Sequence, residues 1–288
     1  MATLLKGSAV TAVLNEKLQG EVEALKAKGI TPKLALLRVG EREDDISYER
    51  GATKRCAKIG VEVQRALLAA DVDQQTLLNT IHTLNADDSI HGILIFRPLP
   101  KHLDDEAVRA ALSPEKDIDG ITNGSLAGVF TGTEQGFPPC TPQACIEILD
   151  HYGIDPKGKK CVVIGRSLVV GKPVAMMLLG KHGTVTICHT RTVDMPALCR
   201  EAEILIVAAG RAGVVTKDYL SPGQVVIDVG INVDENGKLC GDVKFDEAEE
   251  IVAAITPVPG GVGTVTPSVL VGHVVEAAKR FGNVKISK

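Results

Sequence analysis

The residues best suited to chemistry cluster around one glycine turn. The apolar run Cys161-Val162-Val163-Ile164 leads into Gly165-Arg166-Ser167-Leu168-Val169-Val170-Gly171-Lys172-Pro173. A short β-branched run reads as a buried parallel strand. Gly165 breaks it, and Gly171 with Pro173 opens a helix, where proline's missing N–H costs nothing. Strand, glycine turn and helix N-terminus make a phosphate cradle, because free N–H groups and the helix dipole favour an anion. The spacing Gly-x-Ser-x-x-x-Gly differs from the dinucleotide pattern G-x-G-x-x-G, and an ordinary strand–turn–helix also bends at glycine. A nucleophile elbow, G-x-S-x-G, is excluded, because Val169 stands where its second glycine must be.

An NAD site places an acidic residue about 20 residues past that turn, on the ribose hydroxyls. Here the chain reads His189-Thr190-Arg191-Thr192, with Arg166 beside the turn. Two cations and two hydroxyls suit a 2′-phosphate and favour NADP, although each arginine taken singly fits a solvated surface equally well. More glycines end candidate strands, in Ala209-Gly210, Gly230-Ile231-Asn232 and the loop Pro257-Val-Pro-Gly260-Gly261-Val-Gly263. Open α/β sheets bind ligands at such strand ends. A second stretch, Lys116-Asp117-Ile118-Asp119-Gly120, sets two carboxylates in the irregular segment Ser113–Thr141. That segment reads as a domain boundary lining a cleft, or as a plain linker.

The elements that must position these residues alternate. Helical spacing marks Ser8–Lys28, Ile46–Ile59, a helix capped by Asp73, Asp104–Leu112 and Pro142–Tyr152. Strands are expected at Lys33–Val39, Val61–Leu67 and Gly92–Phe96, the last ended by Arg97-Pro98-Leu99-Pro100. A second series runs Cys161–Ile164, Thr184–Cys188, Ile204–Val207 and Val225–Val229. Thr266 is expected to cap, and Pro267 to begin, a final helix. Such alternation means α/β units with parallel sheets.

Composition narrows the function. The 288 residues suit two domains, and 44% hydrophobic with 24% charged residues is ordinary for a soluble globular protein. A net charge of −4 without a basic cluster argues against a nucleic-acid partner. No apolar run approaches the ~20 residues of a membrane span, and the N-terminus lacks a signal-peptide layout. Seven scattered cysteines without C-x-x-C read as reduced thiols of a cytoplasmic protein, and no metal motif appears.

Taken together, Lys116–Gly120, Pro139-Cys-Thr-Pro142, Gly165–Pro173, Asp228-Val-Gly-Ile-Asn232 and Pro257–Gly263 resemble the methylenetetrahydrofolate dehydrogenase/methenyltetrahydrofolate cyclohydrolase family, nearly end to end. The resemblance implies two α/β domains around a cleft and a homodimer. Residues 1–138 would bind the folate, residues 139–267 would form a Rossmann-like NADP domain, and a helix over 268–288 would pack back on the first. The family oxidises 5,10-methylenetetrahydrofolate with NADP and usually hydrolyses the methenyl product to 10-formyltetrahydrofolate. By position, Tyr48 would stack on the folate and Asp119 would hydrogen-bond the pterin. Pro98, Leu99 and Pro100 would wall the pocket, with Pro257, Gly260 and Gly261 closing it. Gly165, Arg166, Ser167, Thr190, Arg191 and Ile231 would hold NADP.

The chain departs from the family at one place. The family pattern Tyr-Val-x-x-Lys, whose lysine serves the cyclohydrolase step, reads Tyr48-Glu49-Arg50-Gly51-Ala52 here. Its glutamine partner, in Val-Gln-Leu-Pro-Leu-Pro, is replaced by Phe96. Each helical residue turns by about 100°, which puts Lys54 and Lys58 off the Ala52 direction. Arg55 is nearer but stays protonated. The expectation is an NADP-dependent dehydrogenase whose cyclohydrolase activity is weak or absent. Its alternatives are a bifunctional enzyme with a substitute residue, a degenerate folate- and nucleotide-binding protein, and a dehydrogenase of another substrate such as a modified pterin.

Overall fold

The computed structural model describes residues 1–286. The chain divides into two units, Met1–Val13 with Pro139–Thr266, and Leu14–Pro138 with the chain from Pro267 onward. The elements run β1 (Thr3–Leu4), α1 (Gly7–Ala27), β2 (Lys33–Val39), α2 (Glu43–Ile59), β3 (Glu62–Leu68), α3 (Gln74–Ala86), β4 (Gly92–Ile95), α4 (Asp105–Ala111), α5 (Asn123–Thr131) and α6 (Cys140–His151). Then come β5 (Lys160–Ile164), α7 (Gly171–Gly180), β6 (Thr184–Cys188), α8 (Met195–Arg200), β7 (Ile204–Val207), β8 (Val225–Asp228), β9 (Asn232–Val233), β10 (Leu239–Cys240), α9 (Phe245–Glu249), β11 (Ala254–Ile255) and α10 (Val262–Ile286).

In the first unit one sheet has the order β1-β11-β8-β7-β5-β6, with every pair parallel. Alternation sends Val162 and Ile164 of β5, with Leu205 and Val207 of β7, into one core with Cys188, Cys199 and Val226. Residues 1–13 belong here rather than to the first domain expected from sequence, because β1 pairs with β11 at the sheet edge. Two residues of strand are too short to carry a hydrophobic period, so β1 and β11 leave no sequence signal.

In the second unit the sheet order is β3-β2-β4, again parallel. Ala35, Leu37, Val39, Ile93 and Ile95 face a core with Leu77 and Ile81 of α3 and Val108 of α4. Leu36 and Arg38 stand on the other face, as do Leu94 and Arg65, both in register with Leu36.

Several elements differ from expectation. The helix expected at Ile46–Ile59 starts earlier: Glu43, Asp44 and Asp45 form the first turn of α2, where they favour the helix dipole. Helix α5 lies inside the segment expected to be irregular; three glycines mask it, and Gly128 lets Gln135 approach where a Cβ would collide with its carbonyl. The last helix begins at Val262, five residues before Pro267. Thr266 is therefore no cap; its Oγ1 donates to the Val262 carbonyl at 3.2 Å. The end of the expected 268–288 helix, residues 287 and 288, lies outside the described residues.

Candidate functional site

In the first unit β6 lies on one side of β5 and β7 on the other, so the strand order reverses there. That switch point is where open α/β sheets bind ligands. Gly165 leaves β5 with φ 125°, and its N–H donates to the Cys188 carbonyl at 2.9 Å. A Cβ there would run into the Ala208 carbonyl, and one at Gly171 would overlap the Gly165 backbone. Both positions therefore require glycine. The Ser167 Oγ accepts from the N–H of Val170 (3.1 Å) and Gly171 (3.4 Å), fixing the start of α7.

Beyond β6, the His189 N–H donates to Thr192 Oγ1 at 2.9 Å, and the Arg191 N–H donates to His189 Nδ1 at 3.1 Å. These bonds make a tight turn that presents Thr190 and Arg191. The guanidinium groups of Arg166 and Arg191 have no protein partner among the described residues. No carboxylate stands at the end of β6, whose last residue is Cys188. A cradle that a Cβ would fill, beside two unpaired guanidinium groups, fits a dinucleotide carrying an extra phosphate.

Two buried aspartates brace the neighbouring loops. Asp228, at the end of β8, accepts from the N–H groups of Gly230 (2.9 Å), Asp242 (3.1 Å) and Val243 (3.0 Å). Asp242 accepts from Gly210 N–H (2.8 Å), Arg211 N–H (2.9 Å) and Asn232 Nδ2 (2.9 Å). Burial pushes the Asp228 carboxyl up to about 6, with the nearby Asp242 charge adding to the rise and the three N–H bonds opposing it. Around this brace lies a cavity of about 250 Å³ lined by Asp228, Gly230, Ile231, Leu239 and the loop 257–264. It brings Ile231, expected to touch the cofactor, together with Pro257, Gly260 and Gly261, expected to touch the folate. Gly260 has φ 107°, and its carbonyl accepts from Gly7 N–H at 2.8 Å.

In the second unit α2 turns a buried stripe of Asp45, Glu49, Ala52, Cys56 and Ile59 inward. Phe96 follows β4 on the same face as Leu94 and is 7% exposed; Ala52 is 6% exposed. Tyr48 is 43% exposed, and its ring meets Phe96 edge-on, with centroids 6.0 Å apart and planes at 82°. Ala52 and Phe96 are thus both buried, apolar and beside Tyr48. Lys54 and Lys58 are exposed. Arg55 turns to α10, donating through Nη1 to Ser268 Oγ at 3.1 Å, and Ser268 Oγ donates to Asn15 Oδ1 at 3.0 Å. Arg97 pairs with Asp105 at 2.6 Å. Pro98, Leu99 and Pro100 follow, and the Pro98 carbonyl accepts from Arg42 Nη1 at 3.0 Å.

The Lys116–Gly120 stretch is tied into the fold around it. Lys116 is 2% exposed and caps the C-terminus of α3, donating to the carbonyls of Leu84, Asn85 and Asp87. Burial pulls its ammonium below the usual lysine value. Asp117 is fully buried and accepts from Ile121 N–H, Thr122 N–H and Ser125 Oγ. Asp119 is only partly buried. His273 is packed against Phe137, and its Nδ1 lies 2.8 Å from the Ile118 carbonyl. Burial lowers the His273 pKa to about 4, so the ring is neutral and donates from Nδ1 into the loop carrying Asp119.

Sequence reasoning missed two things here, the aspartate brace and an ion network at Glu49. Arg38 Nε donates to Glu49 Oε2 at 3.0 Å, and Arg65 Nε donates to Oε1 at 2.6 Å. A signal was present: Arg38 interrupts the apolar strand Lys33–Val39, and a buried cation demands a partner. Among the described residues no group of three His, Cys, Asp or Glu could hold a metal ion, and no helix is long and apolar enough to cross a membrane.

Comparison with known proteins bears on both units. Residues 5–119 match the model of the tetrahydrofolate dehydrogenase/cyclohydrolase catalytic domain, and residues 139–282 that of the family's NAD(P)-binding domain. The bifunctional protein FolD of Carboxydothermus hydrogenoformans is 53% identical over 97% of this chain and 98% of its own. The crystal structure of the bifunctional FolD of Campylobacter jejuni superposes with a TM-score of 0.94 at 40% identity, covering 97% of this chain and 99% of that one. A Trypanosoma brucei FolD, crystallised with NADP cofactor and inhibitor, superposes with a TM-score of 0.89 at 35% identity, over 97% and 98% of the two chains.

Proposed function

Because the chain belongs to the tetrahydrofolate dehydrogenase/cyclohydrolase family, we propose that it oxidises 5,10-methylenetetrahydrofolate to 5,10-methenyltetrahydrofolate with NADP, with cyclohydrolase activity weak or absent. NADP, when bound, supplies the acceptor for the hydride leaving the folate methylene carbon. Gly165 and Ser167 shape the turn for its pyrophosphate. Arg166, Thr190 and Arg191 take the 2′-phosphate, and Ile231 packs against the cofactor. Tyr48 stacks on the folate, Pro98, Leu99 and Pro100 wall it, and Pro257, Gly260 and Gly261 also contact it. Asp119 hydrogen-bonds the pterin and stabilises the positive charge that develops as hydride departs. Hydride transfer asks these residues mainly to position two ligands.

Hydrolysis of the methenyl product needs a water activated by proton transfer. The observation that carries the negative half of the proposal is the buried apolar pair Ala52 and Phe96 beside Tyr48. Neither can move a proton, and Arg55, the nearest substitute, is engaged with Ser268. Assay of the purified protein separates the halves. Methenyl formation should depend on NADP, while hydrolysis of added methenyltetrahydrofolate should run at its spontaneous rate. Enzymic hydrolysis well above that rate would overturn the negative half, and binding of both ligands without hydride transfer would overturn the positive one. The same reading includes a cytoplasmic homodimer; the seven free cysteines support the location, and sedimentation tests the dimer.

A further inference from the structure

The helix that carries Tyr48 is fastened in an unusual way. The family pattern places valine after the tyrosine; here Glu49 stands there, 8% exposed, one turn before Ala52. A carboxylate is poorly tolerated in such a place unless it is paired. Each of its oxygens receives a guanidinium from a different strand, Oε2 from Arg38 of β2 and Oε1 from Arg65 of β3. Arg38 is 7% exposed. Arg65 and Arg38 share the sheet face beneath α2, because Arg65 is in register with Leu36, two residues before Arg38. Arg65 Nη2 also reaches Thr53 Oγ1, one turn on, at 3.4 Å. Arg38 Nη1 donates to the Gly40 carbonyl, where the loop into α2 begins. From that loop Arg42 reaches the Pro98 carbonyl. One bonded chain therefore runs from the helix, through the strand and the loop, to the Pro98–Pro100 wall.

Burial alone would push the Glu49 carboxyl up; the bonds and charges of Arg65 and Arg38 outweigh it and hold the carboxyl below its ordinary value. The group is a fixed anion at neutral pH. Replacing a buried ion pair with apolar side chains is often neutral for stability or favourable. Packing alone therefore does not account for the network. Directional bonds at two points do what a valine contact cannot: they fix the rotation of α2 about its axis, and with it the aim of the neighbouring Tyr48 ring.

We propose that Glu49 is a positioning residue for folate binding, holding α2 on Arg38 and Arg65 so that Tyr48 and the Pro98–Pro100 wall keep one spacing. The inference rests on the proposed role of Tyr48, so that role is tested first. Tyr48→Ala should raise KM for methylenetetrahydrofolate; an unchanged KM overturns the role itself, and the inference with it. Glu49→Gln and the double variant Arg38→Leu/Glu49→Val then test the inference. The double variant leaves no buried charge behind and keeps the protein folded should Glu49→Gln fail to fold. Both are expected to raise KM for methylenetetrahydrofolate about tenfold, with kcat and KM for NADP within about twofold, the pattern of lost uniform binding. In a Tyr48→Ala background the same substitutions should add well under tenfold, because the Tyr48 contact is gone and only the Pro98–Pro100 wall remains to be displaced. A folded double variant with unchanged folate KM, or a tenfold rise repeated in full without Tyr48, would overturn the inference.

Discussion

The glycine cradle after β5 and the buried face of α2 are built on different principles. The cradle is backbone: Gly165 and Gly171 admit no Cβ, and the proposed phosphate contacts are N–H donors with Arg166 and Arg191 beside them. The α2 face is side chains: the buried stripe Asp45, Glu49, Ala52, Cys56 and Ile59, with Phe96 beside Tyr48. Ala52 and Phe96 stand where the proposed reading puts a lysine and a glutamine in the family, and Glu49 is paired there with Arg38 and Arg65. If the proposed loss of hydrolysis holds, a site made of side chains has given up one activity in two substitutions while the helix and sheet around it stay packed. A site made of backbone leaves substitution fewer routes, since a new Cβ must move the chain.

The sharpest way to break that contrast is Gly165→Ala. At φ 125° a side chain is strained, and its Cβ meets the Ala208 carbonyl. NADP affinity measured by calorimetry should fall at least about 100-fold, since the turn must open by ångströms to admit it. Retained affinity would show that the turn yields as easily as the α2 face. Arg191→Ala probes the same site more gently. Losing a charge-assisted contact to the 2′-phosphate should lower kcat/KM for NADP by about 10- to 100-fold while leaving the value for NAD unchanged. Equal losses with both cofactors would remove Arg191 from the 2′-phosphate.

The two regions also differed in how well they could be read from sequence. The cradle was legible because glycine and proline are local punctuation: Gly165, Gly171 and Pro173 state the turn and the helix start outright. The strands β2, β5 and β7 were legible for a similar reason, as short apolar runs between breakers. Helix α5 was not, because Gly124, Gly128 and Gly132 read as loop when Gly128 is there for close packing against Gln135. Nor were β1 and β11, which exist only as partners of each other and of β8. At α2 the residue types pointed to Ala52 and Phe96, but not to the ion network beside them. That Glu49 is buried follows from its place on the Ala52 stripe. That it is paired follows from strand register, which links residues distant in sequence and leaves no local mark.

Introducing the family's lysine and glutamine at positions 52 and 96 sharpens the contrast from the other side. Ala52→Lys with Phe96→Gln should return hydrolysis about tenfold above the spontaneous rate, a fraction of the ~10²–10⁴ that positioned proton transfer can give. Either substitution alone should return nothing. The double variant should be less stable by about 1–3 kcal/mol, because the new amide and ammonium lie on a face now apolar and almost closed to water. Hydrolysis at the spontaneous rate in a folded double variant would mean that the α2 face has changed in more than these two side chains.

The smallest effect compares two buried carboxylates, one in each unit. Burial raises both; two guanidinium groups outweigh it at Glu49, whereas at Asp228 three backbone N–H bonds do not and the Asp242 charge adds to it, so their pKa values move in opposite directions. Asp228 sits at about 6 in the folded protein against its ordinary 3.8, so its contribution to stability is complete below about pH 3.8 and is lost as the pH rises through about 6. Between pH 7 and pH 5 it should add about 1 kcal/mol as it takes up a proton. Glu49 contributes stability above its ordinary 4.5 and loses it only as the pH falls through its lowered value, so it is silent across the same interval. Asp228→Asn removes the titration at the cost of a poorer acceptor for Gly230, Asp242 and Val243. Denaturant melts of both proteins at pH 7 and pH 5 should show the wild type pulling ahead by about 1 kcal/mol at the lower pH. A gap that stays constant would mean that the three N–H donors hold Asp228 charged as firmly as the arginines hold Glu49, and the two braces would then be electrostatically alike.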